Sequence, residues 1–213
     1  MAKSKKEKKA SSHSKSAGQR DAQVTIILGR NGTGKSTFAE GIVKEMGRRV
    51  VVVTLNGTPK IWRKYPAIDP ANPKAWDFKG IVNVYYMQHE DDTMRYIHTY
   101  FRDGILLLDD CRAYIKANVD SDIYLKRLLI DFRHKMIDIF FVAHAPTDVP
   151  PRVWAFYSTA FVGATDALFP KGRISTDSAM ELIEAQQQVN KKFRKAKAKG
   201  DNSHYGLFEM VIP

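Results

Sequence analysis

A single cysteine, Cys111, stands in the 213 residues of this chain. An intrachain disulfide is therefore excluded, and the fold has to be held by its core in a way that suits a reducing, cytoplasmic setting. Long apolar runs are missing too: none approaches the ~20 residues needed to cross a bilayer, so no stable membrane insertion is expected. Acidic residues are scarce beside basic ones, with 23 Asp and Glu against 34 Lys and Arg and a net charge of +11. Large apolar side chains are absent from residues 2–20, which are Lys-rich and polar and do not fit a secretory signal. The chain as a whole is 44% hydrophobic, enough to fill the core of one sizeable α/β domain.

The most informative stretch runs Val24-Thr25-Ile26-Ile27-Leu28-Gly29-Arg30-Asn31-Gly32-Thr33-Gly34-Lys35-Ser36-Thr37. A β-branched run breaks into a glycine turn that fits G-x-x-x-x-G-K-[ST], and a helical pattern follows. Glycine at 29, 32 and 34 lets successive backbone N–H groups converge on phosphate oxygens. Gly29, Arg30, Asn31, Gly32, Thr33, Gly34, Lys35, Ser36 and Thr37 are thus the candidate nucleotide-binding residues. Lys35 would meet the β- and γ-phosphates, Ser36 would hold Mg²⁺, and the helix N-terminus would face the anion. ATP and Mg²⁺ are the expected ligands.

A second signal is Gly104-Ile105-Leu106-Leu107-Leu108-Asp109-Asp110, a buried strand ending in paired acids. Carboxylates at the C-terminal edge of a parallel sheet sit where ligands bind. Asp109 is the candidate to support the metal, and Asp110 the candidate to orient or deprotonate water.

Elsewhere the pattern predicts strands over 49–55, 81–87, 138–144 and 159–163, helices over 37–46, 91–101, 121–135 and 178–198, and a final apolar stretch over 205–212. Residues 56–80, rich in Pro and Gly, form an irregular excursion whose Trp62, Tyr65 and Trp76 could stack on adenine, clamp a partner or pack the loop onto the body. Alternation of strand and helix predicts a three-layer α/β fold with a mostly parallel central sheet. Strand order does not follow from spacing.

Charge concentrates at the two ends. Lys3, Lys5, Lys6, Lys8, Lys9, Lys15 and Arg20 predict a disordered basic tail. Lys191, Lys192, Arg194, Lys195, Lys197 and Lys199 close the last helix, with Phe193 the one aromatic among them. Such clusters favour a polyanion through counterion release, and nucleic acid is the commonest polyanion in a cell.

Phe141-Val142-Ala143-His144-Ala145-Pro146-Thr147-Asp148 supplies the third landmark after Gly29–Ser36 and Ile105–Asp110. It resembles the strand-ending sensor segment of the FtsK/HerA superfamily of P-loop ATPases, a group that includes viral DNA-packaging ATPases and Zot-like proteins of filamentous phages. The resemblance spans roughly residues 22–165. It implies a RecA/ASCE-like P-loop NTPase and divides the chain into a basic tail (1–21), an ATPase domain (22–170) and a basic helical extension with a final strand (171–213). It implies four catalytic residues. Lys35 and Asp110 were named above; His144 would be the γ-phosphate sensor where the family usually has glutamine, and Arg133 a finger completing a neighbour's site. Double-stranded DNA, a homo-oligomeric ring and a capsid or portal are the implied partners, and the cytoplasm of a bacterial host the implied location if the protein is viral. A Zot-like role in phage extrusion and a nucleotide or small-molecule kinase are the competing expectations.

Overall fold

The computed structural model describes residues 21–55, 60–86, 90–115, 122–170, 172, 174–200 and 202–213. The tail expected over 1–21 lies outside them except for Asp21.

β1 (Val24–Leu28), β2 (Val50–Thr54) and β4 (Gly104–Leu108) are buried at every position. That is what an apolar run becomes when both faces of a strand are covered. With β3 (Ile81–Tyr85), β5 (Ile137–Ala143), β6 (Thr159–Gly163) and β7 (Phe208–Val211) they form one seven-stranded sheet in the order β3-β2-β4-β5-β1-β6-β7. All pairings are parallel except β6 with β7.

Alternate strand residues feed two cores. Ile27, Val52, Leu107 and Val142 meet Ala39 and Val43 of α1 (Lys35–Glu45) on one face. Ile26, Val53, Leu106 and Phe141 meet the other layer, built from α2 (Glu90–Tyr100), α3 (Ile123–Asp131) and α4 (Thr176–Ala198). Sheet and both helical layers give the three-layer P-loop NTPase fold expected of the sequence.

α3 is shorter than the helix predicted over 121–135. Its described N-terminus is set by Asp122, whose carboxylate accepts the N–H of Leu125 at 2.9 Å. At the other end the chain turns through Met136 at φ +54° to enter β5. Residues 176–211 contribute α4 and the one antiparallel strand, so the C-terminal segment extends the same sheet.

The topological consequence lies at the C-terminal ends of the strands. β1 leads into the glycine turn, β4 into Asp109 and Asp110, and β5 into His144. Because β5 lies between β1 and β4, the residue that ends it must stand between the glycine turn and the paired acids.

Candidate functional site

Gly34 precedes α1 at φ +85°, a conformation that favours glycine, and a Cβ there would lie a tight 3.3 Å from the Gly206 backbone nitrogen. No side chain caps the α1 N-terminus and its first turn holds no acid. Its unpaired N–H groups and positive dipole end are left to an external anion. Asn31, Gly32, Gly34, Lys35, Ser36 and Thr37 line a cavity of about 410 Å³ together with Ile61, Asp109, Asp110 and His144.

The polar groups in it form one connected set. Lys35 Nζ donates to the Arg30 carbonyl at 3.1 Å and lies 3.0 Å from His144 Nδ1. His144 Nε2 lies 3.2 Å from Asp110 Oδ1. His144 thus bridges the loop lysine and the second acid, as the interposed β5 requires. Burial pushes the Lys35 ammonium below its ordinary value, against the pull of Asp109 and Asp110. The bond from His144 holds the Asp110 carboxyl below the usual carboxylate range, outweighing the effect of burial.

Asp109 is 3% exposed. The Ser36 hydroxyl donates to its two oxygens at 3.0 and 3.2 Å, and the Trp62 indole N–H donates to Oδ2. Burial pushes this carboxyl above its ordinary value in spite of those bonds. A serine hydroxyl that gives its proton to a carboxylate keeps its lone pairs for a cation. Ser36 and Asp109 therefore fit Mg²⁺, a hard ion that takes one or two protein oxygens and completes its shell with water and phosphate. Among the described residues no group of three or more His, Cys, Asp or Glu could hold a metal by itself.

The remaining sequence candidates sit differently. Gly29, Arg30 and Thr33 do not line the cavity; they shape the turn. The Thr33 hydroxyl donates to the Arg30 carbonyl at 2.8 Å, and a Cβ on Gly29 would come within 2.7 Å of that hydroxyl. The Arg30 guanidinium turns away to lie 4.4 Å from the Phe193 ring centroid of α4, with Asp166 at 3.3 Å. Arg133 is exposed on the turn before β5, against Phe132 and at the opposite end of the sheet from the cavity. Its two neighbouring carboxylates are engaged elsewhere, Asp131 with His98 and Asp138 with Arg48. Cys111 is fully buried, and its thiol is pushed up by burial, so it is a packing residue beside the site.

Sequence reasoning missed the function of Trp62. The residue is 2% exposed, and its N–H is one of the donors satisfying the buried Asp109. The signal was an aromatic in a Pro- and Gly-rich stretch, which carries no periodicity to say what it touches. Neighbouring Tyr65 hydrogen-bonds Glu40 of α1, and Trp76 donates to the Pro70 carbonyl at 3.0 Å. All the described aromatics of the excursion that were open to a ligand role are thus committed to the protein itself.

The strand order and the glycine turn define the P-loop NTPase fold. No family profile matches the sequence, and no curated protein is similar to it. Solved structures do match. The DNA-packaging ATPase B204 of Sulfolobus turreted icosahedral virus superposes with a TM-score of 0.58 at 15% identity, covering 90% of this chain and 97% of that one. The genome packaging NTPase B204 of Sulfolobus turreted icosahedral virus 2, in complex with AMPPCP, gives 0.60 at 16% identity over 76% of this chain and 86% of that one. The N-terminal domain of zonular occludens toxin from Neisseria meningitidis gives 0.45 at 17% identity over 69% and 79%. No helix among the described residues is long and apolar enough to cross a membrane.

Proposed function

We propose that this chain is a Mg²⁺-dependent ATPase that moves double-stranded DNA, working as a homo-oligomeric ring in the packaging of a viral genome. The observation that carries the enzymatic part is the bridge from Lys35 through His144 to Asp110, set beside Ser36 and Asp109 in one cavity. Lys35 and the α1 N-terminus would bind the phosphates, and in doing so Lys35 would exchange His144 for phosphate oxygens. The His144 ring, released from Lys35, would then face the γ-phosphoryl group, whose oxygens would accept from it only with a hydrogen on Nδ1. Asp110 would hold the attacking water and take its proton as the bond to the β–γ bridging oxygen breaks. Ser36 and Asp109 would hold the cation, which when bound supplies neutralisation of phosphate charge.

The motor part is supported by the basic ends and by the fold shared with proteins described as packaging ATPases. It is tested by ATP turnover with and without duplex DNA. Turnover that rises on adding duplex, and is lost in Lys35→Ala, supports the reading. Phosphoryl transfer to a nucleotide or metabolite independent of DNA overturns it in favour of a kinase.

A further inference from the structure

The cavity at the glycine turn is furnished for charge. Apart from Ile61 its lining residues offer N–H groups, hydroxyls, carboxylates, an amide, an ammonium and an imidazole; that imidazole, the one aromatic ring among the described lining residues, is held between Lys35 and Asp110. Trp62 and Trp76 are buried and hydrogen-bonded elsewhere, and the Tyr65 hydroxyl is bound to Glu40. Exposed Tyr85 ends β3, four strands from β1 and so about 19 Å away across the sheet.

The C-terminal turn is different. The Gly206 N–H donates to the Thr33 carbonyl at 2.9 Å, pinning this turn directly onto the glycine loop, and Gly206 lies over Gly34. The residue before it, Tyr205, is 54% exposed. Its ring is backed by His204 at a centroid distance of 4.1 Å and an angle of 35°. His204 in turn meets Phe193 edge-on at 5.4 Å, and Phe193 carries the Arg30 guanidinium at 4.4 Å. A chain of contacting planar groups therefore runs from the loop's own arginine to a tyrosine ring that is packed against His204 and more than half exposed. A ring held in this way has already lost much of its freedom, which is what makes an aromatic platform effective.

We propose that Tyr205, backed by His204, is the platform on which the nucleobase of the bound triphosphate stacks. This rests on the nucleotide-binding reading of the loop. Stacking needs a π-face and not a particular base edge, so the platform would supply affinity for a nucleoside over bare phosphate.

The test compares equilibrium binding of Mg²⁺·ATP and Mg²⁺·tripolyphosphate to the full chain and its variants. Tyr205→Ala is expected to weaken ATP about tenfold while leaving tripolyphosphate unchanged. Tyr205→Phe should restore ATP binding, because the ring and not the hydroxyl does the stacking. Equal ATP affinity in Tyr205→Ala and the unmodified chain overturns the proposal, and so does an equal loss for both ligands, which would show that the turn merely shapes the loop. Lys35→Ala is expected to lose both ligands. If the unmodified chain binds neither, the nucleotide reading itself fails, a result distinguishable from failure of the platform alone.

Discussion

At the scale of single residues two adjacent acids stand in opposite electrostatic settings. Asp109 is buried and its carboxyl is pushed up, while Asp110 is half-exposed and held down by His144. A folded value raised above the unfolded one means that ionised Asp109 costs stability, and the cost is relieved as pH falls through the raised value. Asp109→Asn keeps an acceptor for Ser36 and Trp62 and removes the buried charge. The ligand-free variant should therefore be more stable by about 1 kcal/mol near neutral pH. Its advantage over the unmodified protein should shrink as pH is lowered, and Mg²⁺-dependent ATP binding should be lost. Thermal unfolding between about pH 5 and pH 8, with and without Mg²⁺·ATP, checks each part. His144→Ala removes the bond that depresses Asp110, so the carboxyl moves up and the acidic limb of the kcat profile shifts to higher pH. Turnover should fall by about 10- to 100-fold, and His144→Gln should recover part of it as a hydrogen-bonding substitute. An unmoved acidic limb in His144→Ala would separate Asp110 from the pH dependence.

Elements matter through the segment 60–65, which fastens the Asp109 side of the site to α1. Glu40, in α1, ion-pairs with Lys44 and Lys64, each at 2.7 Å, and accepts a hydrogen bond from Tyr65. Burial alone would push its carboxyl up, but those partners bring it down from an ordinary 4.5 to about 2. A depressed value contributes stability that is complete above the unfolded value and is lost as pH falls through the folded one. The segment should therefore loosen between pH 4.5 and about 2, visible as a change in Trp62 fluorescence against a single-Trp background. Glu40→Gln should show the loosened signal already at neutral pH and titrate weakly in that window. Further along the segment, Trp62→Phe leaves the buried Asp109 without one donor and should cost about 1–3 kcal/mol in unfolding free energy. The glycine turn, the acid-ended strand and the polar end of β5 were legible in the sequence because each is local: an apolar run followed at once by glycine or a polar residue. It could not reveal the Trp62 bond to Asp109, made across 47 residues, or the contact of Gly206 with Thr33, because neither partner leaves a periodic trace. Strand order was hidden for the same reason. With it went the fact that β5 separates β1 from β4 and so sets His144 between Lys35 and Asp110.

On the scale of the whole molecule the question is what a second copy adds. β5 has seven residues, a rise of about 23 Å, and Arg133 lies before its start while the cavity lies past its end. Within one chain that guanidinium is out of reach of the phosphates, so any role at a γ-phosphoryl group has to be played in a neighbour's site. The proposed ring, with its sites between copies, would make this requirement testable by complementation. Lys35→Ala subunits cannot grip phosphate but can still present Arg133, and Arg133→Ala subunits have the converse defect. In an equimolar mixture, random assembly leaves some interfaces with both groups intact. The mixture should then turn over ATP at a rate well above either variant alone, and well below the unmodified protein. The same samples, weighed in solution with a non-hydrolysable ATP analogue and duplex DNA, would report whether rings have formed. Rings of full mass with no recovery of turnover would remove Arg133 from the site and leave another cation to serve the neighbour.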